Sequence, residues 1–513
     1  MDRIQEYTSY GHATNAMFSD EDAIVPLLSD MSETTIGVSQ QTLVSATSNT
    51  ARKLPQYAAA LTATLGAFAL GTALAWSSPA IPKLEKGEAG FEVTSAQSSW
   101  VGSLMTLGAA AIALPIGYCM DQIGRKLTMI LLAVPFVMGW VLIVWAINVD
   151  MLYAGRFFCG MSGGAFAVVA PVYIGETAQK EIRGSLGTYF QLMICAGILF
   201  AYVVGSYLTV FWFSIVCGII PIVFAAGILV IPESPAYYLS KGKVEEAKKS
   251  LRWLRGKEYD FEAELAEMQV SAENAAESKR NVNIISALTA RATINALVIS
   301  LGLMIFQQLS GINAVIFYTD TIFQAANVKD SSVSTIIVGV VQLVATFIST
   351  LIVDRFGRRF LLILSDSLMA VCCVALGVFF YLQSIGNDVS NLGWLPLTSL
   401  CIFIIVFSLG YGPVPWFMIG ELFSAEVKAV AGPISSITNW LLAFVVTKFF
   451  KDITDAWGKH TAFWVFAVIS AIGVLFVFFV VIETKGKSLE EIQQELGARG
   501  KSRKNKVDIA GTA

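Results

Sequence analysis

Twelve runs of about 20 apolar residues, separated by short charged or turn-rich breaks, constrain this chain more than any other feature. A helix of that length crosses the hydrocarbon core of a bilayer, and inside lipid a helix satisfies all of its own backbone polar groups. The runs lie near 57–79, 99–120, 127–147, 152–175, 185–207, 210–231, 293–318, 332–353, 360–382, 395–420, 430–450 and 461–482. We call them spans 1 to 12. The expected fold class is an all-α membrane protein with 12 transmembrane helices.

Composition points the same way. Of 513 residues, 55% are hydrophobic and only 14% charged, against about 25% charged in an average soluble domain. That is too little charge to cover a soluble fold of this length, which argues against a soluble enzyme. The net charge of −3 argues against nucleic acid as a partner, since phosphate binding needs a basic face. All seven cysteines sit inside apolar runs, so no disulfide framework is read. Only His12 and His460 are present, which argues against histidine catalysis and a histidine metal site. No cofactor and no metal are expected. The lipid bilayer is the expected surroundings.

The domain reading is a disordered tail over 1–55, a six-helix bundle over 56–231, a cytosolic loop over 232–292, a second six-helix bundle over 293–482 and a C-terminal tail over 483–513. In the loop, Val244, Ala247, Leu251 and Leu254 recur at helical spacing and Gly256 is a plausible stop. Lys and Arg are concentrated in the even-numbered loops, which places those loops and both termini in the cytosol. Lys448, Lys451 and Lys459 dissent from that rule.

Charge also reveals an internal repeat. Asp121-Gln-Ile-Gly124-Arg125-Lys126 follows span 2, and Asp354-Arg-Phe-Gly357-Arg358-Arg359 follows span 8. Glu176 stands seven residues before Arg183 after span 4, and Glu421 seven before Lys428 after span 10. Glu233 lies just past span 6 and Glu483 just past span 12. Such groups can pair when two halves close on one side, and partial shielding from water strengthens the pairs. A cytoplasmic salt-bridge latch is therefore expected from Asp121, Arg125, Arg156, Glu176, Arg183, Glu233, Asp354, Arg358, Glu421, Lys428 and Glu483. Two six-helix repeats with a site between them suit an alternating-access transporter.

The strings Gly155-Arg156-Phe157, Pro171-Val-Tyr-Ile-Gly-Glu176, Arg183-Gly184, Pro232-Glu-Ser-Pro235, Gln307-Gln-Leu-Ser-Gly-Ile-Asn313, Gly412-Pro-Val-Pro-Trp416 and Glu483-Thr-Lys-Gly486 then name a family. The chain resembles the sugar porters of the major facilitator superfamily, which include facilitative glucose transporters and insect trehalose transporters. The resemblance implies two pseudo-symmetric six-helix bundles and a small neutral sugar as substrate. It implies a sugar site at Gln191, Gln307, Gln308, Asn313, Gln342, Trp416 and Asn439. An amide offers a donor and an acceptor in fixed geometry, as a hydroxyl-rich ligand requires. The resemblance also makes Phe317 and Tyr318, at a helix end able to bend, part of the outer gate, and Pro413 and Pro415 are expected gating residues with them.

Departures from the family pattern bear on specificity and coupling. Gln342, Ser408, Ala443 and Ile482 differ from many glucose transporters, which fits the less glucose-restricted branch. Proton symporters of this family carry an acid in span 1, whereas Ala73 stands near that place here. Facilitated diffusion is the expectation, with a proton symporter or a non-transporting sugar sensor as rivals. Asp366, in span 9, is expected to partner the Arg358 region. Gly160-Met-Ser162-Gly-Gly164 matches a serine-hydrolase elbow but reads as a small-residue helix contact. Glu21-Asp22-Ala-Ile-Val-Pro-Leu27-Leu28 looks like an acidic dileucine sorting signal with its spacing off by one, so sorting adaptors or a plain tail both stay open. The plasma membrane is the expected location, with an endosomal or lysosomal membrane as the other.

Overall fold

A computed structural model of the chain describes residues 51–281, 284–353 and 355–498. The sorting-like stretch at 21–28 and Asp354 of the latch set lie outside the described residues. Among the described residues, eleven helices are long and apolar enough to cross a membrane. Ser95–Ile112 and Pro115–Ile123, bent by 53° at their junction, form the twelfth as one span. The twelve expected spans are therefore present in two six-helix halves.

Local sequence sets where each helix starts. Span 2 opens on a capping box, in which the Thr94 hydroxyl accepts from the Gln97 N–H and the Gln97 side chain accepts from the Thr94 N–H. Span 4 (Val149–Thr177) opens on Asn148, whose side-chain oxygen accepts from the Met151 N–H at 3.0 Å. Between spans 2 and 3, Gly124 holds φ at 97°, a conformation that L side chains rarely adopt.

Besides span 2, three spans are interrupted. Span 1 runs as Leu54–Ala75 and Ser77–Glu85, span 7 as Arg291–Leu309 and Ile312–Ala325, and span 10 as Leu395–Leu409 and Val414–Leu422. Spans 1 and 7 occupy equivalent places in the repeat. In span 7 the interruption is Ser310-Gly311, with Gly311 at φ 91°. In span 10 it is Gly410-Tyr411-Gly412, followed by Pro413 at the N-cap and Pro415 in the first turn of the next helix, where a missing N–H costs nothing.

In the first half, span 1 packs on span 5 (Lys180–Tyr207), and span 4 packs on span 2 and on span 3 (Arg125–Val144). In the second half, span 9 (Arg358–Ser384) packs on span 12 (Lys459–Phe479) and span 10. The halves meet along two seams related by the repeat, span 2 against span 11 (Ala425–Trp457) and span 5 against span 8 (Ser331–Ile352). Outward-facing Leu229, Val371 and Phe479 are among the large exposed apolar side chains, as a lipid-facing surface requires.

The segment after span 6 folds as the charge and periodicity suggest. A helix over Val244–Arg255 buries Ala247, Leu251 and Leu254 and ends at Gly256. Arg255 pairs with Glu264 at 2.6 Å and donates to the Thr177 carbonyl at the end of span 4, which ties the segment to the first bundle. This end of the molecule is called the helical-loop face, and the opposite end the far face.

The Gly160-Met-Ser162 string lies within span 4, where it crosses span 2. A Cβ on Gly160 would lie 1.9 Å from the Met105 carbonyl oxygen, and one on Gly164 2.6 Å from Ala109 Cα. The string is a helix contact, with no strand-to-helix turn for a nucleophile. Gly160→Val must separate spans 2 and 4, and overpacking costs about 1–3 kcal/mol or more. The expected result is loss of monodisperse protein in detergent, measured by size-exclusion chromatography; an unchanged profile would refute this close crossing.

Candidate functional site

The interruptions of spans 7 and 10 meet at a chain of buried amides. Asn313 Nδ2 donates to Gln308 Oε1 at 2.6 Å, and Gln308 Nε2 donates to Asn439 Oδ1 at 3.0 Å. Asn439 Nδ2 donates to Gln307 Oε1 at 2.6 Å. Gln307 Nε2 closes the series on the carbonyls of Tyr411, at 2.6 Å, and Gly412, at 3.1 Å. Irregular backbone at membrane depth survives where it is buried in protein or lines a cavity. Here the carbonyls freed by the span 10 interruption receive side-chain donors from span 7. Each amide uses only part of its capacity, and the chain can exchange its mutual bonds for hydroxyls of a ligand.

The other expected site residues are more dispersed. Gln191 Nε2 lies 3.7 Å from Cys195 Sγ, and Cys195 reaches Thr346 of span 8 at 3.3 Å. Gln342, one turn from Thr346, is buried, and its Oε1 has no hydrogen-bond partner among the described residues. These groups lie on the seam of spans 5 and 8, and no hydrogen bond joins them to the amide chain. Trp416 stands just past the span 10 interruption, 39% exposed. Pro413 and Pro415 shape that turn.

Phe317 and Tyr318 are buried in the second helix of span 7, which kinks at Tyr318 (φ −123°, ψ 18°). The Tyr318 hydroxyl donates to the Thr447 carbonyl at 3.0 Å, and its ring stacks on Phe450 at 5.4 Å. It also abuts span 2, since a Cβ on Gly102 would lie 2.9 Å from the hydroxyl.

Arg156 departs from its expected place. It is fully buried near the start of span 4, in the far half of the molecule, and is no part of a latch at the helical-loop face. Its Nη1 donates to the Ala73 carbonyl at 2.7 Å, Nε to the Val101 carbonyl at 3.0 Å and Nη2 to Ser77 Oγ at 2.8 Å, and it stands 5.2 Å from the Trp76 ring. The guanidinium thus binds the interruption of span 1 with neutral acceptors.

At the helical-loop face the repeat carries through to the ion pairs. Arg125 pairs with Glu176 at 2.8 Å, and Arg358 pairs with Glu421 at 3.0 Å. Ser234 donates to Glu176 and Thr484 to Glu421, each at 2.5 Å. Glu233 accepts from the backbone N–H groups of Arg125, Lys126 and Ser234, and Glu483 from those of Arg358, Arg359 and Lys485. Each carboxylate thereby caps the start of span 3 or 9, where a helix N-terminus favours negative charge. Burial pushes the Glu233 carboxyl above its ordinary range, and the three N–H donors pull it back.

These pairs knit spans 3, 4 and 6 of one half and spans 9, 10 and 12 of the other. They lie within each bundle, where the charge pattern suggested pairing between halves. Asp121 stands 3.7 Å from Arg125. Exposed Arg183 donates to the Ala178 carbonyl and forms no ion pair among the described residues. Lys428 is exposed and likewise has no ion pair among them. Asp366 does not partner Arg358; both of its carboxyl oxygens are buried without a hydrogen-bond partner.

Bonds between the halves run from mid-depth to the far face. Tyr202 donates to the Ile316 carbonyl at 2.8 Å, and the Asp320 N–H donates to Ser78 Oγ at 3.0 Å. At the far rim, Lys451 of span 11 pairs with Glu85 of span 1 and donates to Ser98 of span 2 at 2.7 Å. Ser95 donates to Asp455 at 2.6 Å, and Lys448 lies 5.1 Å from the Trp100 ring. The far face is closed. The sequence does not pair these groups, although Lys448 and Lys451 stand out in it against the loop-charge rule.

A family profile described as "Sugar (and other) transporter" matches residues 36–496. The chain is 44% identical over 446 residues, 86% of its length, to the facilitated trehalose transporter Tret1 of Polypedilum vanderplanki, 88% of which is covered. It is equally identical over 446 residues to Tret1 of Drosophila mojavensis, but spans only 52% of that longer relative. A partially occluded inward-open structure of the xylose transporter XylE from E. coli shares the fold, with a TM-score of 0.72 at 24% identity over 84% of this chain and 99% of that one. The inward-open form of the same protein matches at a TM-score of 0.71 and 25% identity, covering 85% of this chain and 98% of that one. An all-helical bundle of this architecture, matched over nearly its whole length by that profile, belongs to the sugar (and other) transporter family, as a membrane carrier and not an enzyme.

Proposed function

We propose that this chain is a facilitative carrier that moves a neutral sugar by alternating access, with trehalose the foremost substrate and hexoses next. The amide chain at the meeting point of two interrupted helices carries this reading. A ligand with many hydroxyls can replace its internal bonds one for one, whereas a ligand lacking them leaves buried amides unpaired. On this reading Gln307, Gln308, Asn313 and Asn439 bind the sugar, Gln191, Gln342 and Trp416 border it, and Tyr318 with Phe317 gates the outer side. The relatives named facilitated trehalose transporters support the choice of sugar.

The span 1 chemistry supports uniport. The buried cation Arg156 meets the carbonyl of Ala73, so no carboxyl of span 1 needs to gain and lose a proton beside it. We assign the helical-loop face and both termini to the cytosol of the plasma membrane. With that orientation, the far-face contacts are read as those that seal the outer side in the inward-facing state. The charge sets of Arg125, Glu176 and Glu233 and of Arg358, Glu421 and Glu483 brace each half as it rocks. Adaptor binding at Leu27-Leu28 is the one sorting contact suggested.

Coupling is tested in proteoliposomes carrying an external pH dye. Sugar uptake down its gradient is expected to leave the external pH unchanged. Sugar-dependent external alkalinisation would overturn uniport in favour of a proton symporter.

A further inference from the structure

Asp366 has no role in the account so far, and its surroundings are unusual. It is fully buried in span 9, and neither carboxyl oxygen has a hydrogen-bond partner among the described residues. Its polar neighbours are the hydroxyls of Tyr411, at the span 10 interruption, and Ser470, in span 12. Both hydroxyls are buried and likewise unpartnered. Span 12 leaves room for the carboxyl at Gly473, where a Cβ would lie 2.1 Å from Asp366 Oδ2. No ion pair reaches Asp366 among the described residues, and Cys373 is the titratable neighbour on its own helix. A carboxylate in such a place faces a large desolvation cost, whereas a carboxylic acid between two hydroxyls can donate to one and accept from the other.

The same corner grips Tyr411 on every side. Its N–H donates to Ser365 Oγ at 3.3 Å, its carbonyl accepts from Gln307 at 2.6 Å, and its hydroxyl faces Asp366. Gly410 brings the interruption against span 9, since a Cβ there would lie 2.4 Å from the Leu361 carbonyl oxygen. Asp366 therefore stands two groups away from the amide chain, with Tyr411 as the link.

We propose that Asp366 is a positioning residue of the transport site: as an uncharged carboxylic acid it fixes Tyr411, and through the Tyr411 carbonyl it sets the orientation of Gln307. The inference rests on the reading of the amide chain as the sugar site. It makes span 9 part of the specificity apparatus without contact to the sugar. It also links the span 10 interruption, a natural point of bending, to the ligand.

The test is uptake of labelled trehalose by oocytes expressing the full chain at matched surface density, with KM and Vmax measured separately. Asp366→Asn keeps an uncharged group that donates and accepts, and is expected to hold KM within about twofold of wild type. Asp366→Leu and Tyr411→Phe are each expected to raise KM about fivefold with a smaller change in Vmax. Gln307→Ala should also raise KM. If Asp366→Leu fails to reach the surface, Tyr411→Phe carries the comparison. Wild-type KM in Tyr411→Phe, with a raised KM in Gln307→Ala, overturns the positioning role alone. An Asp366→Asn variant as impaired as Asp366→Leu overturns the uncharged acid. A silent Gln307→Ala overturns the sugar-site reading, and this inference with it.

Discussion

Gln308→Ala is expected to lower sugar uptake at subsaturating concentration by about tenfold or more, with surface expression unchanged. Gln308 is the central link of the amide chain, accepting from Asn313 and donating to Asn439. Its loss removes a ligand group and strands two buried partners, and a buried polar group left unsatisfied costs about 1–3 kcal/mol. A tenfold effect corresponds to about 1.4 kcal/mol, so one broken link suffices. Gln191→Ala, on a group outside the chain, should act more weakly. Uptake by Gln308→Ala equal to wild type would mean that the cavity lies elsewhere.

Lys451→Ala is expected to open the far face. Lys451 is the cation that joins span 11 to both Glu85 and Ser98. Its side chain is 12% exposed and that of Glu85 31%, so the pair is better shielded than an ordinary surface pair. Such a pair, with its shared hydroxyl, is worth about 1 kcal/mol or somewhat more, and a shift of that size moves a two-state population about fivefold. Spin labels at Glu92 and Trp457, on exposed far-face positions of the two halves, report the change. Electron–electron distance measurements on the full chain, with Cys119 and Cys401 replaced by serine, should show a longer component in Lys451→Ala. An unchanged distribution would remove the far-face contacts as a latch.

Much of the fold was legible because apolarity and length are properties of single segments. Twelve runs became twelve spans, and Val244, Ala247, Leu251 and Leu254 marked a helix whose buried side the last three line. The interruptions were less legible. Gly311 and the Gly410-Tyr411-Gly412 turn announced themselves, but the break after Ala75 has no glycine, and its mark in the sequence is Pro79, which has no N–H for the Ala75 carbonyl. The charged sets are legible in the sequence, but their partners are not. Arg125 and Arg358 sit on one face, and residue type cannot say whether a carboxylate of the same bundle or of the other stands within reach. Arg156 lies apart from the latch set for a related reason: nothing in its string shows that three neutral oxygens satisfy a buried guanidinium. Asp366 shows the limit most clearly. An acid in an apolar run can neighbour an arginine two turns away or two hydroxyls on other helices, and only packing decides.

Trehalose counterflow in proteoliposomes containing the purified chain tests the central claim most directly. Preloaded unlabelled trehalose should drive transient accumulation of labelled trehalose without a proton gradient, and Gln308→Ala should abolish most of the overshoot. Absence of an overshoot with trehalose, glucose and fructose alike in the wild-type chain would contradict the account.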